Sequence, residues 1–218
     1  MSRARKRTYT SAVRTDAASD TRRRILAAAK ALFGRRGIDQ VTIDDVARKA
    51  GASASTVYAI YKSKEGILRA LMQESLFGTS FRAAQALVEG TTDPVRLIAV
   101  TSHVARAIYE SEASDLGLLR HASGFSPALR RIEQEFERMR FEMQEPRVEL
   151  LFGSGKARRG LAIDEAKRIL WMLTSRAVYR MLVHESGWAP QQYQERLSQM
   201  LLDALVARGA HPASATEA

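Results

Sequence analysis

Residues 41–65 read VTIDDVARKAGASASTVYAIYKSKE, and this stretch decides the fold. Thr42 can cap the first free backbone N–H groups of a helix, and Gly51 can take the left-handed conformation that ends one. After the two-residue turn that Gly51 begins, Ser53 offers a second N-cap. The pattern therefore predicts two short helices joined by a tight turn, which is the helix-turn-helix arrangement. The two helices would cover residues 43–50 and 54–61.

Helical patterns also flank this stretch. Upstream, five apolar residues recur at helical spacing, and Gly37 is placed to end the helix that they form. Downstream, Ser63 can cap a further helix that we expect to run from Lys64 to about Glu89, with Gly78 as a candidate bend. The upstream apolar residues are Ile25, Leu26, Ala29, Leu32 and Phe33, and the first short helix would bury Ile43, Val46, Ala47 and Ala50.

Positive charge is concentrated in the first third of the chain. Residues 1–64 contain 15 basic and five acidic side chains, whereas residues 65–218 contain 19 of each, so the formal net charge of +10 comes from the N-terminal third. Such asymmetry indicates a polyanionic partner for that third. A charge cluster alone also fits a solvated basic face. Because the helix-turn-helix pattern lies in the same segment, we favour DNA, with the second helix in the major groove.

The order and spacing of residues 20–68 resemble the DNA-binding domain of TetR-family transcriptional regulators. The resemblance implies a homodimer, each chain having a three-helix DNA-binding head and a larger helical body. It also implies that the body binds a small molecule and that the protein then releases DNA. The matching positions are residues 21–29, Phe33, Gly37, residues 42–47, residues 50–51 and residues 53–65.

Nine residues of the head are candidates for DNA contact. Small side chains and hydroxyl groups on the second helix let its backbone approach base edges, and Lys62 would bind phosphate as a point charge. A two-fold dimer would read a palindromic double-stranded operator with half-sites about 34–36 Å apart. By the resemblance, phosphate-contacting or flanking positions are Thr42, Thr56, Tyr58 and Lys64, and positions of variable base readout are Ala54, Ser55, Ala59 and Tyr61.

The whole pattern predicts an all-α fold with an N-terminal three-helix helix-turn-helix head and a larger helical body for ligand binding and dimerisation. Strand-like alternation does not occur in the sequence. We expect a flexible basic arm over 1–18, the DNA-binding domain over 19–66, the effector-binding and dimerisation domain over 67–208, and a disordered tail over 209–218. Body helices are predicted over residues 94–112, 114–122, 127–152, 164–186 and 190–208.

The body contains a candidate effector site and a candidate dimer face. Large or hydrogen-bonding residues on inward faces suggest a largely apolar cavity, although each alone is more often a core residue. The dimer face rests on apolar stripes of the last two helices, for which the alternative is the ordinary core of a monomer. Effector candidates are His103, Tyr109, Phe125, Met143, Trp171, Ser175 and Tyr179. Dimer candidates are Leu170, Leu173, Ala177, Met181, Leu197, Leu201, Ala204 and Leu205.

Several chemistries have no support in the sequence. The chain has no cysteine, which excludes disulfides and thiolate metal sites, and its four histidines fit no metal-ligand spacing. The Gly155-Lys156 loop lacks the other residues of a phosphate-binding loop, so no cofactor is expected. No apolar run approaches the ~20 residues that a membrane helix needs. We therefore expect a cytoplasmic protein without metal, cofactor or membrane anchor.

The sequence favours a ligand-responsive DNA-binding regulator, most simply a repressor that a small, largely apolar effector releases from its operator. One alternative is a DNA-binding regulator that acts without an effector. Another is a helical small-molecule-binding protein or enzyme whose basic head attaches to DNA without specificity. No assembled set of nucleophile, base and metal ligands supports an enzyme.

Overall fold

The computed structural model describes residues 4–123 and 126–210, with the side chains of residues 17–111, 117 and 126–210. Helices dominate these residues, and no β-strand occurs among them apart from one isolated bridge between Ala157 and Val206. The all-α prediction is confirmed. The α-helices are α1 Ala4–Arg36, α2 Ile43–Ala50, α3 Ala54–Tyr61, α4 Lys64–Phe77, α5 Thr79–Ala86, α6 Pro94–Ser123, α7 Pro127–Glu142, α8 Glu145–Gly153, α9 Ile163–Leu173, α10 Arg176–Tyr179 and α11 Pro190–Leu205.

The chain forms two compact units. The first comprises residues 1–74 and 114–132, and the second comprises residues 75–113 and 133–218. Residues 114–132, which the sequence assigns to the body, thus pack with the predicted head. One contact within the first unit is a hydrogen bond of 3.2 Å from the Ser126 hydroxyl to the Asp39 carboxylate. Each unit is therefore built from two separate stretches of the chain.

The predicted apolar stripes form the core of the first unit. Leu32 is half-buried, whereas the other predicted stripe residues of α1 and α2 are buried, and Val57 of α3 is fully buried. Gly66, in the first turn of α4, allows a close approach of the chain, because a Cβ there would overlap the main-chain carbonyl of Tyr61. The buried stripe residues are Ile25, Leu26, Ala29, Phe33, Ile43, Val46, Ala47 and Ala50.

The N-terminal segment differs from the sequence prediction. Helix α1 begins at Ala4, so the backbone of residues 4–18 is helical rather than the flexible arm that we expected. Alanine and arginine are strong helix formers, and lengthening an existing helix needs no new nucleation. Residues 1–3 lie outside the described part of the chain. At the other end, Arg208–Ala210 form a 3₁₀ turn, and the remainder of the predicted tail also lies outside it.

Two of the predicted body helices are interrupted, one at Gly78 and one at Ser175. The expected bend at Gly78 is confirmed, since α4 ends at Phe77 and α5 begins at Thr79. The single helix predicted over residues 164–186 is wrong. Ser175 has an extended backbone, and its hydroxyl accepts the N–H of Val178, so α9 ends and α10 starts anew, followed by a π-helical segment, Arg180–Glu185.

The other body spans also differ from prediction. Helix α6 runs through to Ser123 without the expected break at residue 113, and the span 127–152 is divided between α7 and α8. None of the helices in the described ranges is long and apolar enough to cross a membrane.

Candidate DNA-binding site and ligand cavity

Both ends of α2 are fixed by side-chain and backbone hydrogen bonds. The Thr42 hydroxyl accepts the Asp45 N–H at 3.1 Å, and the Asp45 carboxylate accepts the Thr42 N–H at 3.2 Å. The two hydrogen bonds form a reciprocal capping box. At the other end Gly51 has φ +63°, the left-handed conformation that suits glycine. The turn that leads to α3 therefore has a defined geometry.

Helix α3 and its C-cap residue Lys62 present one exposed surface, which we call the recognition face: Ser55, Tyr58, Ala59 and Lys62. Ser55, Tyr58 and Ala59 lie at positions i, i+3 and i+4 of the helix, and Lys62 follows its last residue. All four are exposed, with 52% of the Tyr58 surface accessible. On the opposite side Val57 is fully buried. The helix thus packs through its apolar side, and its exposed side presents small and hydroxyl-bearing side chains that fit a groove of DNA.

The Ser53 hydroxyl organises the start of this face. It accepts the Thr56 backbone N–H at 3.1 Å, as an N-cap does. The same oxygen lies 2.8 Å from the Ser55 hydroxyl and 2.7 Å from the Thr56 hydroxyl. The predicted contact residues Ala54 and Thr56 are only half-buried, so they remain partly accessible beside the recognition face.

Two predicted phosphate contacts, Lys62 and Lys64, differ in their surroundings. The Lys62 ammonium is exposed and donates to the Ala59 carbonyl of α3 at 3.0 Å. The half-buried Lys64 ammonium instead donates to the carbonyls of Ile38 and Asp39. Lys64 therefore ties the start of α4 to the loop between α1 and α2.

The remaining predicted DNA contacts lie at the edges of this region. Thr42 is exposed at the start of α2, where free backbone N–H groups and the helix dipole favour an anion. Tyr61 is half-buried and its hydroxyl donates to the Arg22 carbonyl at 3.4 Å. Burial, followed by the nearby Glu74 carboxylate, raises the pKa of Tyr61, so this phenol stays protonated at neutral pH.

Sequence reasoning missed Arg24 as a positioning residue. Its guanidinium donates to the carbonyls of Ala50 at 2.7 Å and Gly51 at 3.3 Å, which are the last carbonyl groups of α2. It also donates to the Asp20 carboxylate at 3.0 Å. Arg24 therefore fastens α1 to the turn of the helix-turn-helix. The only signal in the sequence was the basic run 22–24, which reads first as a solvated face.

Two acidic side chains of the head, Asp45 and Asp20, have neighbours that stabilise their ionised form. Hydrogen bonds with Thr42, the backbone N–H foremost, and then the guanidinium groups of Arg36 and Arg48 lower the pKa of Asp45. The Asp20 pKa is lowered chiefly by a hydrogen bond from Arg23 and further by Arg24. Both carboxylates are thus ionised and paired, which limits their repulsion of a phosphate backbone.

The second unit contains a cavity of about 50 Å³. Two of the predicted effector residues, Tyr109 and Met143, line it. Tyr109 is fixed by a 2.7 Å hydrogen bond from its hydroxyl to the Thr174 carbonyl. Apolar side chains line it together with polar and charged ones. Its lining comprises Phe77, Phe81, Thr101, Val104, Ala105, Ile108, Tyr109, Arg140, Met143, Gln144, Arg147 and Thr174.

The other predicted effector residues have different surroundings. Trp171 donates its indole N–H to the Glu137 carboxylate at 3.2 Å, and Ser175 serves as the N-cap of α10. Tyr179 is buried against the rings of Tyr109 and Tyr193. None of these three, nor the half-buried His103, is among the residues that line the cavity. Phe125 lies outside the described residues.

Half of the predicted dimer residues are core residues of a single chain. The reason is that their stripe packs against helices of the same unit, so they have no surface to offer a second chain. Leu173 and Ala204 are half-buried, whereas Ala177 and Met181 are exposed, and 46% of the Met181 surface is accessible. The residues corrected to the core are Leu170, Leu197, Leu201 and Leu205.

Comparisons with known proteins agree with this geometry. Residues 25–71 match the model of the family described as bacterial regulatory proteins, tetR family. The chain is 38% identical over 55 residues to the HTH-type transcriptional regulator SrpR of Pseudomonas putida. This alignment covers 25% of the present chain and spans about a quarter, 26%, of SrpR.

Two solved structures share the fold across nearly the whole chain. A complex of SmeT with triclosan has a TM-score of 0.68 and 23% identity, covering 91% of this chain and 98% of that chain. NalD, the secondary repressor of the MexAB-OprM multidrug efflux pump in Pseudomonas aeruginosa, has a TM-score of 0.65 and 22% identity, covering 87% and 99%.

The fold and the capped helices α2 and α3 define a helical protein with an N-terminal helix-turn-helix domain. Residues 25–71 thus match the tetR family of bacterial regulatory proteins in sequence, and the chain shares its fold with the two solved structures. Within the described residues no group of three or more His, Cys, Asp or Glu side chains could hold a metal ion.

Proposed function

We propose that this protein is a sequence-specific DNA-binding transcriptional regulator, and more specifically a repressor that a small molecule releases from its operator. The observation that carries the proposal is the recognition face of α3, where small and hydroxyl-bearing side chains stand exposed on a helix whose other side is buried. An exposed helix of this kind, following a capped helix and a tight turn, is built to enter the major groove. Its target would be DNA in the bacterial cytoplasm.

The surrounding groups support this role by their charge. Basic residues outnumber acidic ones threefold in residues 1–64, and the two acids described above are paired with arginines. In this proposal Lys62 and the start of α2 at Thr42 would meet phosphates, while Ser55 and Ala59 would face the bases. The phosphate contacts would give affinity, and the α3 contacts would give sequence preference.

Binding as a homodimer follows from the same proposal. Two copies that bind half-sites one duplex turn apart double the groove contacts. The surface available for the dimer contact lies on the exposed apolar residues of the last helices, Met172, Ala177, Met181 and Met200, with half-buried Leu173 and Ala204 beside them. This set replaces the four leucines that lie in the core.

Release by an effector would act through α4. This helix starts in the first unit, and its last residue, Phe77, lines the cavity of the second unit together with Phe81. The two rings contact each other edge-on with centroids 5.2 Å apart. A molecule that displaces Phe77 would therefore move the end of the helix that leads to the head. A coupling of about 1–3 kcal/mol is enough to change DNA occupancy roughly 5- to 150-fold. SmeT, which shares the fold, is known in complex with triclosan, and NalD is a repressor.

The proposal is tested by selecting DNA from a random pool with the purified chain and measuring binding of the selected sequence by fluorescence anisotropy. We expect an inverted repeat whose half-site centres are about 10 base pairs, or 34–36 Å, apart. A Tyr58→Ala, Ser55→Ala double variant should keep the fold and lose preference for that repeat over scrambled DNA. Recovery of no common sequence, with equal affinity for all DNA, would contradict the proposal.

A further inference from the structure

The cavity of the second unit is lined by a half-buried positive charge, the guanidinium of Arg147. The Arg147 guanidinium donates to the Thr101 hydroxyl at 3.0 Å, and among the residues that the structure describes no Asp or Glu forms an ion pair with it. Arg140, which lines the same cavity, differs in this respect. Its guanidinium is paired with the Glu137 carboxylate at 2.8 Å and also donates to the Trp171 carbonyl at 2.9 Å.

An unpaired buried cation is costly, and the cost persists at all ordinary pH values. Burial lowers the pKa of Arg147, but a guanidinium remains protonated in proteins. Replacing such a residue with an apolar one is often neutral or stabilising, so stability alone gives no reason for its presence. An anion that enters the cavity would pair with this charge and offset the cost of its desolvation.

A second group in the cavity lacks a partner. Gln144 is 5% exposed, and its Oε1 atom has no hydrogen-bond donor within the described part of the chain. Its Nε2 atom is fixed by a 2.9 Å hydrogen bond to the Arg140 carbonyl, so the side-chain amide is held in place. The free oxygen is an acceptor, and it requires a hydroxyl or N–H donor. The cavity therefore offers a ligand two partners: the Arg147 guanidinium for an anion and the Gln144 Oε1 atom for a hydrogen-bond donor.

The remaining wall is apolar and partly aromatic. Phe77, Phe81, Val104 and Ile108 form it, and Met143 closes the space with a flexible, unbranched side chain. The free volume of about 50 Å³ is small beside the roughly 300–1,000 Å³ of sites for drug-sized ligands. A compact molecule therefore fits best, with a shift of Met143 providing further room.

From these contacts we infer that the cavity binds a small organic acid, whose carboxylate pairs with Arg147 and whose apolar or aromatic part lies against Phe77 and Phe81. A hydroxyl or amine on the same molecule would satisfy Gln144. This inference rests on the proposed function, because it names the chemical class of the effector. It narrows the largely apolar effector expected from the sequence to one with an anionic end.

The test uses three probes of nearly identical shape: benzoate, benzamide and benzamidine, which are anionic, neutral and cationic. Binding to the full chain without DNA is measured by isothermal titration calorimetry. We expect benzoate to bind on the order of tenfold more tightly than benzamide, the effect of one charge-assisted hydrogen-bond pair, and benzamidine not to bind. We also expect 4-hydroxybenzoate to bind more tightly than benzoate. Equal affinity for benzoate and benzamide, or no benzoate binding up to about 10 mM, would overturn the inference.

Variants then locate the site. Arg147→Gln should remove the preference for benzoate over benzamide, whereas Arg147→Lys should keep part of it. Gln144→Glu places a carboxylate in the cavity that Arg147 also lines, and it should prevent benzoate binding without enlarging the cavity. The control is Arg168→Gln, because Arg168 is exposed on α9 and pairs with Asp164 away from the cavity lining. Benzoate binding that survives both Arg147→Gln and Gln144→Glu would place the anion elsewhere and refute this site.

The two proposals fail in different ways. Benzoate binding that needs Arg147 but leaves DNA affinity unchanged would support the anion site and contradict its role in release. Sequence-specific DNA binding together with indifference to all acids would refute the anion site and leave the DNA-binding proposal standing.

Discussion

The Lys64 ammonium lies 3.0 Å from the main-chain carbonyl of Ile38 and donates a hydrogen bond to it. A second bond, of 3.3 Å, goes to the Asp39 carbonyl. Because an ammonium has three N–H donors, at most one remains for a phosphate. The residue that the family resemblance places on the DNA backbone is therefore also a brace between the start of α4 and the loop after α1.

Neutralising Lys64 and Lys62 in turn should separate these roles. We expect Lys64→Gln to lower the free energy of unfolding by roughly 1–2 kcal/mol, because it removes charge-assisted hydrogen bonds. Lys62→Gln should leave stability nearly unchanged and lessen the dependence of log K on log salt by about 0.9, the loss of one phosphate contact. Urea unfolding and anisotropy at several salt concentrations measure the two effects. Equal effects of both variants on stability would contradict the bracing role of Lys64.

Ser53 and Ser55, whose hydroxyls lie 2.8 Å apart, should behave differently. Ser53→Ala removes an N-cap and should cost about 1 kcal/mol of stability. Ser55→Ala should leave stability within about 0.5 kcal/mol and change the order of preference among operator sequences. Thermal unfolding and competition binding with single-base operator variants distinguish them. A uniform loss of affinity across all sequences in Ser55→Ala would show that this hydroxyl does not read bases.

Arg24→Gln tests whether α1 holds the turn of the helix-turn-helix. The change removes hydrogen bonds to the carbonyls of Ala50 and Gly51, and we expect a loss of about 1 kcal/mol because the guanidinium is partly exposed. Arg23→Gln is the matched control, since Arg23 pairs with the same Asp20 carboxylate but with no carbonyl of α2. Amide hydrogen exchange of residues 47–53 should be faster in Arg24→Gln alone. Similar exchange in both variants would argue against the brace.

Asp45 should make the head sensitive to acid. Its pKa in the folded protein is lowered, so its stabilising contribution is present above the ordinary carboxyl value of about 4 and is lost as pH falls through the folded value. Asp45→Asn should therefore lower stability near neutral pH and weaken the fall in stability between about pH 5 and 3. Asp44→Asn, at the exposed neighbouring position, should retain that fall. Chemical unfolding across this range provides the comparison, and an unaltered pH profile in Asp45→Asn would refute the assignment.

Met181 tests the proposed dimer. Met181→Glu introduces a charge at an exposed apolar position and should shift the chain from dimer to monomer in sedimentation velocity, with a loss of operator affinity. Leu87→Glu is the control, because Leu87 is equally exposed, at 48%, on another part of the same unit. If both variants remain dimeric, the contact lies on a different surface.

The local features of the head could be read directly from the sequence. The capping residues Thr42, Ser53 and Ser63 and the turn residue Gly51 act within three or four positions of themselves, so short spacing determines their structure. For the same reason the exposed side of α3 follows from the single buried residue Val57. The bend at Gly78 was likewise predictable.

Only the tertiary structure shows which apolar helix faces pack against each other. Both apolar stripes of the last helices look alike in sequence, yet Leu170 and Leu201 are buried within one chain while Met181 is exposed. Arg147 reads as an ordinary charged residue of a helix, and only packing shows that it lines a cavity in which no described Asp or Glu pairs with it. Lys64 and Arg24 bond to carbonyls about 25 residues away along the chain. Periodicity reports the burial of a face but not its partner, because contacts between distant segments are set by the fold as a whole.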